Sequence, residues 1–160
     1  MGNGTFVGDF DTGSGILAPG SSAGTMTISG NYILGGTGTL EIEIGGFTSG
    51  LFDVLTVTGN ASLTGGNILF SFLDGYDIAV DPQQLKSLQF LQVDGSISSF
   101  ASNIVFDFPS SVYFDYHVSQ QDDGLFFEAV STIPEPTTIV LIGCGLLGLL
   151  GVVIRQRRKK

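Results

Sequence analysis

Apolar and polar positions alternate along much of the first 132 residues. The alternation is clearest in Gly24-Thr25-Met26-Thr27-Ile28-Ser29, Thr39-Leu40-Glu41-Ile42-Glu43-Ile44 and Leu55-Thr56-Val57-Thr58. A period of two turns every second side chain to the same face, which is the signature of a half-buried strand. Short glycine pairs punctuate these runs: Gly30-Asn31, Gly35-Gly36, Gly45-Gly46, Gly59-Asn60 and Gly65-Gly66. They mark tight turns, because glycine and asparagine tolerate backbone conformations that other residues avoid. The pattern predicts an all-β body. One short helix is expected over Pro82–Leu88, with Asp81 as its cap and Pro82 at its first position.

An internal repeat organises the strands. Met26-Thr27-Ile28-Ser29-Gly30-Asn31 aligns with Leu55-Thr56-Val57-Thr58-Gly59-Asn60 at an offset of 29, which also places Leu34 on Leu63 and Leu40 on Leu69. A fixed period in Gly-rich strand sequence predicts a solenoid, in which each coil buries its apolar face against the next. A sandwich of hairpins is the alternative. From Leu88 onward the repeat fades. Phe90–Val93, Ile104–Phe108, Val112–Tyr116 and Gly124–Val130 read as antiparallel strands that would cap the open end of the coil.

The alternation ends abruptly at Pro134. Residues 137–154, TTIVLIGCGLLGLLGVVI, carry no charge. As a helix they would reach about 27 Å, close to the ~30 Å hydrocarbon core of a bilayer. Arg155, Arg157, Arg158, Lys159 and Lys160 follow directly, and such a cluster is expected to stay on the cytoplasmic side and leave the body outside. Gly143, Gly145, Gly148 and Gly151 would allow close approach of another helix within lipid. The chain thus divides into a Gly-rich β body, 1–132, and a tail, 133–160, comprising a transmembrane helix 137–154 and a basic end 155–160.

Charge sharpens that division. Residues 1–133 hold 14 acidic residues and a single base, Lys86, a net charge of −13; residues 134–160 carry +4. So acidic a body excludes nucleic acid as a partner, since phosphate binding requires clustered Lys and Arg. Cys144, the single cysteine, lies in the apolar run, so no disulfide joins parts of the body.

Ile133-Pro134-Glu135-Pro136 holds two prolines one residue apart, which favours an extended segment just ahead of the apolar run. The order of Pro-Glu-Pro, Gly-rich apolar helix and basic end resembles the PEP-CTERM sorting domain over residues 133–160. The resemblance implies that the chain is a substrate of exosortase, a membrane-embedded transpeptidase-like enzyme. Pro134, Glu135 and Pro136 would form the processing motif, and Arg155, Arg157, Arg158, Lys159 and Lys160 the topology signal. It further implies an exported protein of a Gram-negative, exopolysaccharide-producing bacterium. Such a protein is held transiently in the inner membrane and then placed at the cell surface or in the extracellular matrix, as a biofilm component. Proteins of this kind also carry an N-terminal secretion signal, whereas Met1-Gly2-Asn3-Gly4-Thr5 opens polar, Gly-rich sequence. The expectation is that the chain is the C-terminal part of a longer exported protein.

Within the body, Gly15-Ile16-Leu17-Ala18-Pro19-Gly20 followed by Gly24-Thr25-Met26-Thr27-Ile28 is similar to the passenger-associated repeats of autotransporters. That similarity covers residues 13–75 and implies a right-handed parallel β-helix.

Candidate chemistry is sparse. Asp11-Thr12-Gly13-Ser14 resembles the loop that holds a catalytic aspartate in aspartic peptidases. A single copy would need a homodimer to supply the second carboxylate, and Asp11 reads better as a turn residue. His117 has no cysteine partner in the body for a metal site, and no Gly-x-Ser-x-Gly elbow is present. Asp74, Asp77 and Asp81 could supply oxygens to calcium, but without any recognised loop spacing. No metal or cofactor is therefore expected. Together with the resemblance of the tail, which implies export to the surface or matrix, this leads to the expectation of a non-enzymatic surface or matrix protein associated with exopolysaccharide. A glycan-binding or adhesin module is the alternative; it would need a groove with exposed aromatics, for which Tyr76, Tyr113 and Tyr116 are the candidates.

Overall fold

A computed structural model of the chain describes residues 3–80, 86–111 and 113–132, all of them in strands, turns and connections. The first three strands are β1 (Gly4–Val7), β2 (Phe10–Asp11) and β3 (Ile16–Leu17). Three more follow in the same order: β4 (Thr25–Ser29), β5 (Tyr32–Leu34) and β6 (Thr39–Ile44). Then come β7 (Val54–Val57), β8 (Ala61–Leu63) and β9 (Asn67–Phe72), and after them β10 (Ser87–Val93), β11 (Ile97–Phe100) and β12 (Val105–Asp107). The chain deals these strands to three sheets in rotation. The first sheet holds β1, β4, β7 and β10; the second β2, β5, β8 and β11; the third β3, β6, β9 and β12. Every pairing among these twelve strands is parallel. A winding chain produces this order, because each strand lies beside its counterpart one circuit earlier.

The period-two alternation now has a physical meaning. In β6, Leu40, Ile42 and Ile44 are fully buried while Glu41 and Glu43 face outward. Inward residues stack in columns that run through the circuits: Ile28, Val57 and Val93 in the first sheet, Leu34 and Leu63 in the second, and Leu17, Leu40, Ile68 and Phe106 in the third, while Phe6 and Phe100, in register with the first two columns, are exposed at their ends. Stacked apolar side chains keep contact with like neighbours on both sides, so the hydrophobic core is continuous along the molecule.

The offset of 29 is real in the first two sheets, where Met26 pairs with Leu55 and Leu34 with Leu63. It fails in the third, where Leu40 pairs with Ile68 and not with Leu69. Because a one-residue slip reverses the inward face, Ile68 is buried and Leu69 is turned partly outward. Nor does the repeat end at Leu88. Strands β10 to β12 form a fourth parallel circuit, which corrects the expectation of an antiparallel strand over 104–108; over 90–93 that expectation holds on one edge alone, since β10 pairs parallel with β7 and antiparallel with residues 124–128 of the final hairpin. The signal faded because the circuits lengthen. Met26 lies 22 residues after its partner Gly4, Leu55 lies 29 after Met26, and Leu91 lies 36 after Leu55. Much of the extra length falls in the connections 18–24, 45–53 and 73–86, which return the chain from the third sheet to the first.

The final hairpin, β13 (Phe114–Gln121) and β14 (Gly124–Ser131), is antiparallel, and β14 closes the first sheet against β10. Gly124 is obligatory there, since a Cβ would run into the carbonyl oxygen of Leu91. Tyr116 and Phe127 of the hairpin pack on Phe70, Phe90 and Phe108 beneath it, with ring centroids 4.9–5.9 Å apart in the contacting pairs. Of the helix expected over 82–88, residues 82–85 lie outside the described residues, Lys86 is irregular and Ser87 and Leu88 open β10. Among the described residues no helix is long and apolar enough to cross a membrane; the span expected over 137–154 lies outside them.

Candidate functional site

Two regions bear on function: the tail and a groove beside its point of departure. The body ends where the Thr132 N–H donates to the carbonyl of Tyr113 at 2.8 Å, at the open end of the final hairpin. Pro134, Glu135, Pro136, Arg155, Arg157, Arg158, Lys159 and Lys160 lie beyond it, outside the described residues.

The groove, of about 420 Å³, opens between residues 76–79, in the connection that follows β9, and the loop before β13. Tyr76, Tyr113 and Tyr116 all line it, with Phe72, Ile78 and Phe114. These are the three tyrosines singled out from the sequence, drawn from two segments some 40 residues apart in the chain. The rings form a connected wall. Phe72 meets Tyr76 edge-on at 5.3 Å and Tyr116 at 6.0 Å. Tyr113, 51 % exposed, stands at the rim. Ser111 accepts hydrogen bonds from the backbone N–H groups of Tyr113 and Phe114, both at 3.1 Å, which fixes the turn that presents them. The Tyr116 hydroxyl is buried, with no hydrogen-bond partner at full geometry among the described residues and the Ser111 hydroxyl close by. Burial raises its pKa, with the nearby Ser111 hydroxyl opposing the shift. Asp77 accepts from the Ala79 N–H at 2.9 Å, a local turn that holds the connection in shape.

The remaining candidates are dispersed. Asp11 is exposed and accepts from the Gly13 N–H at 2.8 Å, an Asx turn at the first circuit. Its neighbour Thr12 faces inward and donates to the buried Tyr32 hydroxyl at 3.0 Å. Asp74 and Asp77 are exposed, Asp81 is outside the described residues, and no group of three metal-ligating side chains gathers among the described residues.

Sequence reasoning missed one cluster. His117 Nε2 lies 2.8 Å from Glu128 Oε2, and the Ser119 hydroxyl donates to Glu128 Oε1 at 2.6 Å. These two bonds, the one from Ser119 first, hold the Glu128 carboxyl below its ordinary range against its partial burial. The cross-strand register His117 to Glu128 creates the cluster, a pairing invisible until the hairpin is known. Serine and histidine both direct their bonds to the carboxylate. A nucleophile needs the histidine as its own acceptor, so the trio serves as a cross-strand clasp.

It also missed a ladder at the turn between the first and second sheets. Asp9 Oδ1 accepts from the Asn31 backbone and side chain, Asn31 Oδ1 from the Asn60 N–H, and Asn60 Oδ1 from the Ser96 N–H and hydroxyl, all at 2.7–3.0 Å. Each of these residues follows a glycine: Gly8, Gly30, Gly59 and Gly95. A Cβ on any of the last three would strike the backbone of the glycine one circuit earlier. The signal was present as a Gly-Asp/Asn/Ser pair recurring after 22, 29 and 36 residues, which a search for one fixed period passes over.

Comparison with family models places residues 132–159 in the PEP-CTERM protein-sorting motif. The chain therefore carries the C-terminal signal of an exported protein, and proteins bearing it are exosortase substrates. Comparison with curated proteins and with solved structures gives no match. The similarity of residues 13–75 to autotransporter repeats accordingly gains no support.

Proposed function

We propose that this is an exported surface or extracellular-matrix protein whose body is a right-handed parallel β-helix, acting in a structural, exopolysaccharide-associated role without catalysis. The sorting-motif match over 132–159 is the observation that carries the reading. In it, the apolar segment 137–154 spans the inner membrane, the basic end 155–160 stays in the cytoplasm, and exosortase processes the chain near Pro134-Glu135-Pro136, freeing the body. The three-sheet rotation of parallel strands supports the β-helix, and right-handed return connections are the general rule for parallel strands of one sheet. The exposed Asx turn at Asp11 and the clasp around Glu128 support a body held together by these groups and not catalysing through them.

Replacing Pro134, Glu135 and Pro136 by alanine tests the processing role. In a host with exosortase, the variant should remain full-length in the membrane fraction while the wild-type body is shortened. Equal shortening of both would remove the motif from the mechanism.

A further inference from the structure

We propose that the groove between residues 76–79 and the final hairpin binds a neutral oligosaccharide. The inference stands apart from exosortase processing, since it concerns the body alone.

The chemistry of the lining selects the ligand. A sugar ring offers two unlike surfaces: a face of C–H groups, which packs on aromatic rings, and a rim of hydroxyls, each able to donate and accept. The groove presents the complement of both. Phe72, Tyr76, Phe114 and Tyr116 supply ring surface, and Tyr113 stands half-exposed at the mouth. Asp77, Ser110 and Ser111 add a carboxylate and two hydroxyls to the same lining, and Tyr116 brings a buried hydroxyl beside Ser111. A purely apolar ligand would offer these polar groups no partner. The volume of about 420 Å³ falls within the range of small-ligand sites.

Charge decides between neutral and acidic sugars. No basic residue lines the groove, and Asp77 does. The single base among the described residues, Lys86, sits over the rings of Phe47 and Phe114, 5.7 and 5.8 Å from their centroids. In a body of net charge −13 an anionic glycan meets repulsion at close range and at a distance.

The chain supplies its own probe. It has four tyrosines and no tryptophan; three tyrosines line the groove and the fourth, Tyr32, is fully buried in the core. Tyrosine emission of the full chain, held in an amine-oxide detergent that carries no sugar, can be titrated with cellohexaose, laminarihexaose, isomaltohexaose, mannohexaose and hexagalacturonate. At least one neutral hexasaccharide should give a saturable change, with affinity about ten-fold or more above that of hexagalacturonate at low salt. Tyr113→Ala should weaken it by about ten-fold or more while Tyr113→Phe, which keeps the ring, stays within about three-fold. Asp77→Asn should raise the affinity for hexagalacturonate and leave the neutral sugar bound; this second variant keeps the test open if Tyr113→Ala disturbs the fold. No saturable response to any neutral sugar, a response unchanged by Tyr113→Ala in a folded variant, or preference for hexagalacturonate would each overturn the proposal. A proline-rich peptide that perturbs the tyrosines where sugars do not would overturn it in favour of a peptide groove.

Discussion

Asp53 is a carboxylate with 1 % of its surface exposed, at a corner of the winding. Its two oxygens accept from the Gly24 N–H at 2.8 Å and the Glu43 N–H at 3.0 Å, tying the 18–24 connection to β6. Burial pushes its pKa from 3.8 up to about 6; the two hydrogen bonds oppose the rise and the charges of Glu43 and Glu41 add to it. A carboxyl whose folded pKa is raised holds its proton more tightly in the folded state. Its contribution to stability is therefore full below about pH 4 and lost as pH climbs through 6. The stability of the wild type relative to Asp53→Asn should fall between pH 4 and 6, measured as the difference in Tm; parallel curves would show that Asp53 does not titrate in that window. Gly59 offers a second test at this scale. A side chain there would meet the Gly30 carbonyl oxygen at 2.6 Å, and the two glycines are tied across the turn between the first and second sheets by the Gly59 N–H donating to that oxygen at 2.9 Å, which leaves little room to move. Gly59→Ala should cost about 1–3 kcal/mol, the range for overpacking, read as a lower denaturant midpoint at unchanged slope.

At the scale of elements, the strands were legible and their partners were not. Period-two alternation located β4, β6 and β7, since a strand with one face in the core must alternate. The copies at 26–31 and 55–60 also gave the correct neighbour, because identical turns hold the register. Leu40 was matched to Leu69 because both are leucine, whereas the shorter turn before β9 brings Ile68 into line. The fourth circuit escaped notice for a related reason. Its connection, 73–86, is long enough to break the period, and β10 carries a bulge between Gln89 and Leu91 that buries Phe90 and Leu91 in succession. The candidate groove was half legible: its tyrosines could be named, but their meeting depends on residues 76–79 lying against the segment that opens the final hairpin. The hairpin's attachment is itself testable. Gly124→Ala should loosen β14 from β10, lowering Tm and speeding amide exchange across Leu125–Phe127 while β4 to β7 stay protected. Uniform exchange throughout would mean that the cap and the coils unfold as one unit.

The whole molecule is a strongly acidic β body joined to a short apolar and basic tail, and the division is explicit in the sequence. The tail was readable because its signals are local: a proline pair, an uncharged run of 18 residues and five cations within the last six positions. The body's role was far less so, because a solenoid displays its surface through pairings between circuits that no local motif records. Its first sheet ends under the final hairpin, while among the described residues β11 and β12 are edge strands of the second and third sheets, a surface on which further strands could pair. The measurement that bears most directly on the proposed role is the mass and location of the body in two hosts, one with exosortase and one without. The full reading frame should be expressed with its native upstream sequence and followed by antibody and mass spectrometry. The expected result is a body cut near Pro134 and released only where exosortase is present. A full-length, membrane-bound chain in both hosts would contradict it and make the tail a permanent anchor.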